Sequence, residues 1–191
     1  MDTKKIIQAL AYMAYKESDH KMDNIKAYKL LWLADRYHIR RTGRLVTGDS
    51  YFAMPKGPVP SDAKKLLEGQ STHLSTDEQY LKEYIKRLGD KYEVVKVPNG
   101  KVFSISDREA MDLVYEIFGS MDADTLSAYS HEYPEWIAYK DMIEKEGMKS
   151  SYRINMDLFF DNNDVDDRGL FADSDDALSL AKEVYHEYYQ A

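Results

Sequence analysis

Asp35 and His38 stand three positions apart in a run whose pattern predicts a helix, so their side chains share one face. A carboxylate orienting an imidazole is the minimal acid–base pair of an enzyme. The same spacing also describes a buried polar pair in which Asp35 is tied to a neighbouring arginine or backbone amide, and this reading is preferred. His131 and Glu132 invite a metal, but no second histidine follows at helical spacing and Tyr133–Pro134 breaks the helix. The run from Asp161 to Asp167 invites calcium through Asn162, Asp164 and Asp166. Counted from Asn162, the sixth and twelfth loop positions fall on Asp167 and Asp173, so the required glycine is missing. Gly57-Pro58-Val59-Pro60 lacks the Gly-Lys-Ser/Thr ending of a phosphate loop, and its prolines carry no amide hydrogens. No Gly-x-Ser-x-Gly elbow occurs. The residues assemble no catalytic, cofactor or metal constellation. What stands out instead is a basic cluster, Arg36, Arg40, Arg41 and Arg44, suited to phosphate, to an acidic partner, or to pairing within the chain with Asp49 or the acidic tail.

These residues sit on or beside one stretch, Tyr28 to Ser61. Leu30, Leu31, Trp32, Leu33 and Ala34 are consecutive, and a helix apolar on every face is buried on most sides. Asp23 caps it, the arginines suit its negative C-terminal end, and Gly43 stops it. An extended return segment through Tyr51–Met54 follows, then a proline-stiffened corner that launches the next helix.

The wording of this stretch resembles the Panacea domain family, earlier described as phage-associated GepA-like or SocA-like proteins. The resemblance rests on Ala34-Asp35-Arg36, on Thr47-Gly48-Asp49 and on the segment from Ala53 through Lys56 to Pro60. It resumes at His131, Glu132, Pro134 and Trp136. Asp35, Gly48, Asp49, Gly57, Pro58, Pro60, His131 and Trp136 are accordingly expected to be structural. The resemblance implies an antitoxin that binds a cognate toxin directly, including toxins that act on RNA or translation. It also implies, as the alternative, an adaptor delivering a bound toxin to a AAA+ protease. Arg40, Arg41, Tyr51, Lys56, Asp161, Asp164, Asp166 and Asp167 are the expected partner contacts.

Charge is unevenly spread. Residues 1–156 hold 24 Lys and Arg against 24 Asp and Glu, whereas residues 157–191 hold two against ten, which accounts for the whole net charge of −8. An acidic tail argues against direct nucleic-acid binding, including operator binding by a repressor. Against a toxin that acts on RNA, Asp161, Asp164, Asp166, Asp167, Asp173, Asp175 and Asp176 would serve as a phosphate mimic. Sixteen tyrosines suit a partner-facing surface or an ordinary wet helix face. There is no cysteine, which removes disulfides and thiolate metal sites and fits a reducing cytoplasm. No apolar run follows the first residues, and none approaches the length of a bilayer crossing, so a cytoplasmic protein is expected.

In chain order, Ile6, Ile7, Leu10, Ala11 and Ala14 predict a first amphipathic helix. Ala63, Leu66 and Leu67 predict another, stopped at Gly69. Ser75 with Glu78 reads as a capping box opening a helix through Tyr84, Ile85 and Leu88 to Gly89. Tyr92–Val97 and Lys101–Ile105 read as a hairpin joined at Pro98-Asn99-Gly100. Ser106 with Glu109 reads as a second capping box, Asp122 as a further cap, and Pro134 as the start of a helix running to Gly147. Ser174 caps a last helix with Ala177, Leu178, Leu180, Ala181 and Val184 inward. The expectation is a mainly α fold: a compact helical domain around a buried central helix, with one small β-hairpin. It divides into residues 1–150 and an acidic C-terminal extension, 151–191, packed on or tethered to the body.

Overall fold

A computed structural model describes residues 2–70, 75–162 and 169–190. The fold is mainly α. At its centre lies α2 (Asn24–Thr42), with Leu30, Leu31, Trp32, Leu33 and Ala34 all fully buried. Asp23 accepts the amides of Ile25 and Lys26 at one end, and Gly43 closes the other with φ +66°. These are the cap and the stop that the residue types predict.

The other elements wrap this helix. α1 (Thr3–Tyr15) lies beside it and buries Ile6, Ile7, Leu10, Ala11 and Ala14. α3 (Ser61–Glu68) and α4 (Ser75–Tyr84) follow, then α5 (Ile105–Phe118), α6 (Ala123–Ser130), α7 (Pro134–Ile137), α8 (Lys140–Glu146) and α9 (Asp175–Gln190). Asp122 caps α6 and Ser174 caps α9 through the amide of Ala177, as expected. The predicted helix from Pro134 to Gly147 is two helices, because the chain turns at Ala138–Tyr139.

The strands depart from expectation. There are two three-stranded antiparallel sheets among the described residues. In one, β5 (Lys91–Val94) lies between β1 (Lys21–Asp23) and β4 (Ile85–Arg87). Both edges of β5 are therefore occupied, and Lys101–Ile105 has no edge to join. Asn99 instead accepts the Lys101 amide with its own side chain and opens a short 3-10 helix, Gly100–Val102. The hairpin lies one turn earlier, at Gly89 (φ +82°), and it ends α4 at Tyr84 rather than at Leu88.

The second capping box is also displaced. Ser104 and Asp107 exchange the two bonds, at 3.1 and 2.9 Å, two residues before the predicted pair. The side chain of Ser75 lies outside the described residues, so the first box does too.

In the other sheet, β2 (Tyr51–Met54) lies between β3 (Gly57–Pro60) and β6 (Tyr152–Arg153). The Gly-Pro-Val-Pro segment is thus a strand, paired as Phe52 with Val59 and Ala53 with Pro58, rather than a free corner. Its prolines are tolerated because β3 is an edge. The Nζ of Lys29, fully buried on α2, donates to the Pro58 carbonyl at 2.7 Å.

Gly57 shows why this turn needs a glycine. Its φ is +97°, and an added Cβ would come 2.0 Å from Ser130 Oγ and 2.8 Å from Lys29 Nζ. Gly48 has a comparable φ of +69° but nothing within 4 Å. We expect Gly57→Ala to cost about 3 kcal/mol, from backbone strain plus overpacking, and Gly48→Ala about 1 kcal/mol from strain alone. Equal losses in chemical denaturation would show that the contact with Ser130 and Lys29 is immaterial.

Candidate functional site: a basic clasp and an acidic last helix

Half of the arginine cluster is turned away from solvent. Arg36 and Arg40 are both 0% exposed. They lie one turn apart on α2, and the segments 156–162 and 169–173 are folded over them. The first segment begins as a short 3-10 helix, Met156–Phe160, capped by Asn155. It exposes its carbonyls toward α2 because a 3-10 turn leaves its last acceptors without partners.

Arg36 donates to Glu135 Oε1 at 2.5 Å, to the Phe159 carbonyl at 3.1 Å and to the Asp161 carbonyl at 2.7 Å. Arg40 donates to Asp173 Oδ2 at 2.9 Å, to the carbonyls of Phe159, Asp161 and Phe171 at 3.0 Å each, and to Asn162 Oδ1 at 2.6 Å. Arg41 completes the clasp on Leu170 O and Asp173 Oδ1, both at 2.9 Å. The guanidiniums stack as well as bond: Arg36 lies 5.0 Å from the ring centre of Tyr133 and 4.9 Å from that of Phe171. A planar five-donor fork suits this mixed set of carbonyl and carboxylate acceptors better than an ammonium would.

Arg40, an expected partner contact, is therefore corrected. It is enclosed by the chain's own C-terminal segment. Arg41 is partly exposed but engaged by the same segment. The alternative of pairing within the chain is the one realised: Arg40 and Arg41 pair with the acidic tail through Asp173, Arg36 with Glu135 and Arg44 with Asp107. Pairing with Asp49 is not, because Asp49 turns to α3 and accepts the amides of Asp62 and Ala63 there.

Tyr51 is corrected for a similar reason. It is 1% exposed, and its hydroxyl donates to Asp35 Oδ2 at 2.7 Å. Asp35 also accepts the Thr47 amide at 3.0 Å and the Thr47 hydroxyl. Burial pushes the Asp35 carboxyl up, and these donors oppose the shift. His38, three residues on, turns elsewhere: its Nδ1 lies 2.7 Å from the Arg44 carbonyl and its Nε2 3.0 Å from Ser106 Oγ. Burial lowers its pKa, which favours the neutral ring with Nδ1–H donating to Arg44. The two side chains share a helix face without forming a carboxylate–imidazole bond.

His131 ends α6 and stacks on Trp136 at 3.8 Å between ring centres. Trp136 donates its indole N–H to the Met54 carbonyl at 2.9 Å, fastening α7 to the β2–β3 turn. Lys56, in that turn, is exposed at the surface, and its carbonyl accepts from Ser127 Oγ at 2.7 Å. Of the acidic contacts, Asp161 is exposed with its carbonyl held by the clasp, whereas Asp164, Asp166 and Asp167 lie outside the described residues.

Residues 28–137 match the family described as antitoxin SocA-like, Panacea domain. The chain belongs to this family. No curated protein and no solved structure matches it. The Panacea segment contains most of α2, the β2–β3 sheet edge and α3 to α7, so Asp35, Arg36, Gly57, Glu135 and Trp136 all fall inside it. The acceptors that Arg36 and Arg40 hold on residues 158–173, and all of α9, fall beyond it. No helix is long and apolar enough to cross a membrane among the described residues.

The Thr47-Gly48-Asp49 motif has a measurable consequence. Burial pushes the Asp49 carboxyl up to about 7 from its ordinary 3.8, although the Ser50, Asp62 and Ala63 amides pull the other way. Because the folded value lies above the unfolded one, folding takes up a proton between them. This stabilising contribution is complete below pH 4 and is lost as pH rises through about 7. Asp49→Asn is expected to flatten that slope, by at most about 1.4 kcal/mol per pH unit. Parallel slopes for the two proteins between pH 5 and 8 would contradict the assignment.

Proposed function

We propose that this chain is an antitoxin that neutralises its cognate toxin by direct protein–protein binding. Membership of the SocA-like Panacea family carries the reading. In support, Asp35, Arg36 and Arg40 of the central helix are directed inward, to Thr47, Tyr51, Glu135 and the C-terminal segment. The partner is a protein, met at the surface of the rigid frame that these inward bonds build.

The test is co-expression with the product of the neighbouring open reading frame. Growth arrest by that product, relieved by this chain, together with a stoichiometric complex on size-exclusion chromatography, is the expected result. A harmless neighbour, or one that does not bind the chain, overturns the reading. Toxin abundance is followed in the same cells. Inhibition leaves it unchanged, whereas a fall that depends on a AAA+ protease points to delivery for degradation.

A further inference from the structure

Asp173 is drawn onto Arg40 and Arg41. What the tail presents is α9, and its surface is organised.

The inward side of α9 is Leu178, Ala181 and Tyr185. Tyr185 packs on Phe160 at 5.9 Å between ring centres, and Lys182 and His186 pair with Asp157 at 3.2 and 3.1 Å. Val184 rests on Gly43, where an added Cβ would come within 2.6 Å of Val184 Cγ1. The helix is thus fixed to the frame along one side. Leu180, Val184 and Tyr188 follow at i, i+4 and i+8 on the neighbouring flank and are 64%, 38% and 65% exposed. Of the predicted inward set only Leu178 and Ala181 are buried, whereas Ala177, Leu180 and Val184 are exposed.

This stripe runs into a groove of about 320 Å³ between Tyr188 and Tyr189 on one wall and Arg44–Gly48 with Lys5 on the other. The two basic residues in that wall lean on Asp107, at 2.8 Å from Lys5 and 3.8 Å from Arg44. The solvent border of the stripe is acidic: Asp176, Glu183 and Glu187 are all exposed. Across Asp175–Gln190 there are four carboxylates against one lysine.

We propose that this flank of α9, with the groove at its end, is the toxin-contact face. It would receive an apolar ridge of the toxin bordered by lysine or arginine. The proposal rests on the antitoxin reading. An exposed apolar stripe on a rigid helix supplies the desolvated centre of an interface, and charges along its edge supply orientation and speed of encounter. The charge also selects the occupant. A second copy of this chain would set one acidic border against another, whereas a basic partner is attracted by the same field.

The probe is the purified product of the neighbouring gene, titrated against the full-length chain. Leu180→Lys/Tyr188→Lys alters two exposed positions and is expected to keep the melting temperature while weakening affinity at least 100-fold. Glu183→Lys/Glu187→Lys is expected to slow association about 10-fold at low salt and to flatten its salt dependence. Wild-type affinity in both variants overturns the proposal while leaving the antitoxin reading intact. Failure of the wild-type chain to bind the product overturns both. A wild-type dimer that Leu180→Lys converts to a monomer, seen by light scattering, also overturns it, since a second copy then covers the face.

Discussion

Arg36→Met is expected to lower the unfolding free energy by about 3–5 kcal/mol, the largest loss of any single change in the clasp. The residue is wholly buried, and its removal leaves Glu135, itself 0% exposed, without the cation 2.5 Å away. The Phe159 and Asp161 carbonyls lose a donor at the same time. A buried carboxylate without its partner either stays charged in a poor medium or takes up a proton, and both cost stability. The decisive comparison is the double variant Arg36→Met/Glu135→Leu. Removing both charges leaves only the carbonyls underserved, so the double variant should be more stable than Arg36→Met alone by at least about 1 kcal/mol. Urea titration followed by the fluorescence of Trp32, which packs edge-on against Tyr133, and Trp136 reads both. Simple additivity of the two single losses would mean that the pair acts independently and that the ion pair is not what holds this part of the core.

Asp35→Ala should cost about 3 kcal/mol and should loosen the return loop specifically. Its carboxylate is the acceptor for the Thr47 amide, the Thr47 hydroxyl and the Tyr51 hydroxyl, all buried. Each donor deprived of its acceptor inside the protein costs about 1–3 kcal/mol, moderated by whatever water enters the gap. Tyr51→Phe removes one donor and leaves the others paired, so about 1 kcal/mol is expected. Native-state hydrogen exchange should show the Thr47 amide protected in the wild type and in Tyr51→Phe, and opened in Asp35→Ala. Retained protection in Asp35→Ala would show that the loop is held by something other than this carboxylate.

Much of the frame is legible from residue types alone. The consecutive apolar residues of α2, the Asp23 cap and the Gly43 stop are local signals, and nothing elsewhere in the chain competes with them. Asp122 and Ser174 worked as caps for the same reason. The misplaced hairpin was a competition between levels. Asn99-Gly100 is a strong turn signal, but β5 already has β1 and β4 on its two edges, so the turn made a 3-10 helix instead. The displaced capping box at Ser104 shows how little separates two serines two residues apart until the Asp107 carboxylate is also met by Lys5.

The candidate site was legible as an inventory and not as an arrangement. Four arginines at a helix exit read as a phosphate or partner surface or, in preference, as internal partners. Which one they become depends on Phe159, Asp161 and Phe171, more than a hundred positions later, whose carbonyls fold onto Arg36 and Arg40. The exposed stripe of α9 was hidden because all its apolar residues share one periodicity, and periodicity does not say how wide a face the body will cover.

By itself the sequence determined the helical class, the central helix with its caps, the neutral body with its acidic tail, and the family through motifs contiguous in the chain. Those properties are set by short-range sterics, hydrogen bonding and charge count. Only the tertiary structure decided that Arg40 and Tyr51 face inward, that the tail's Asp173 is a ligand for the chain's own arginines, and that Leu180 and Tyr188 stay in solvent. Each depends on which distant groups come close enough to remove water from a charge or an apolar surface.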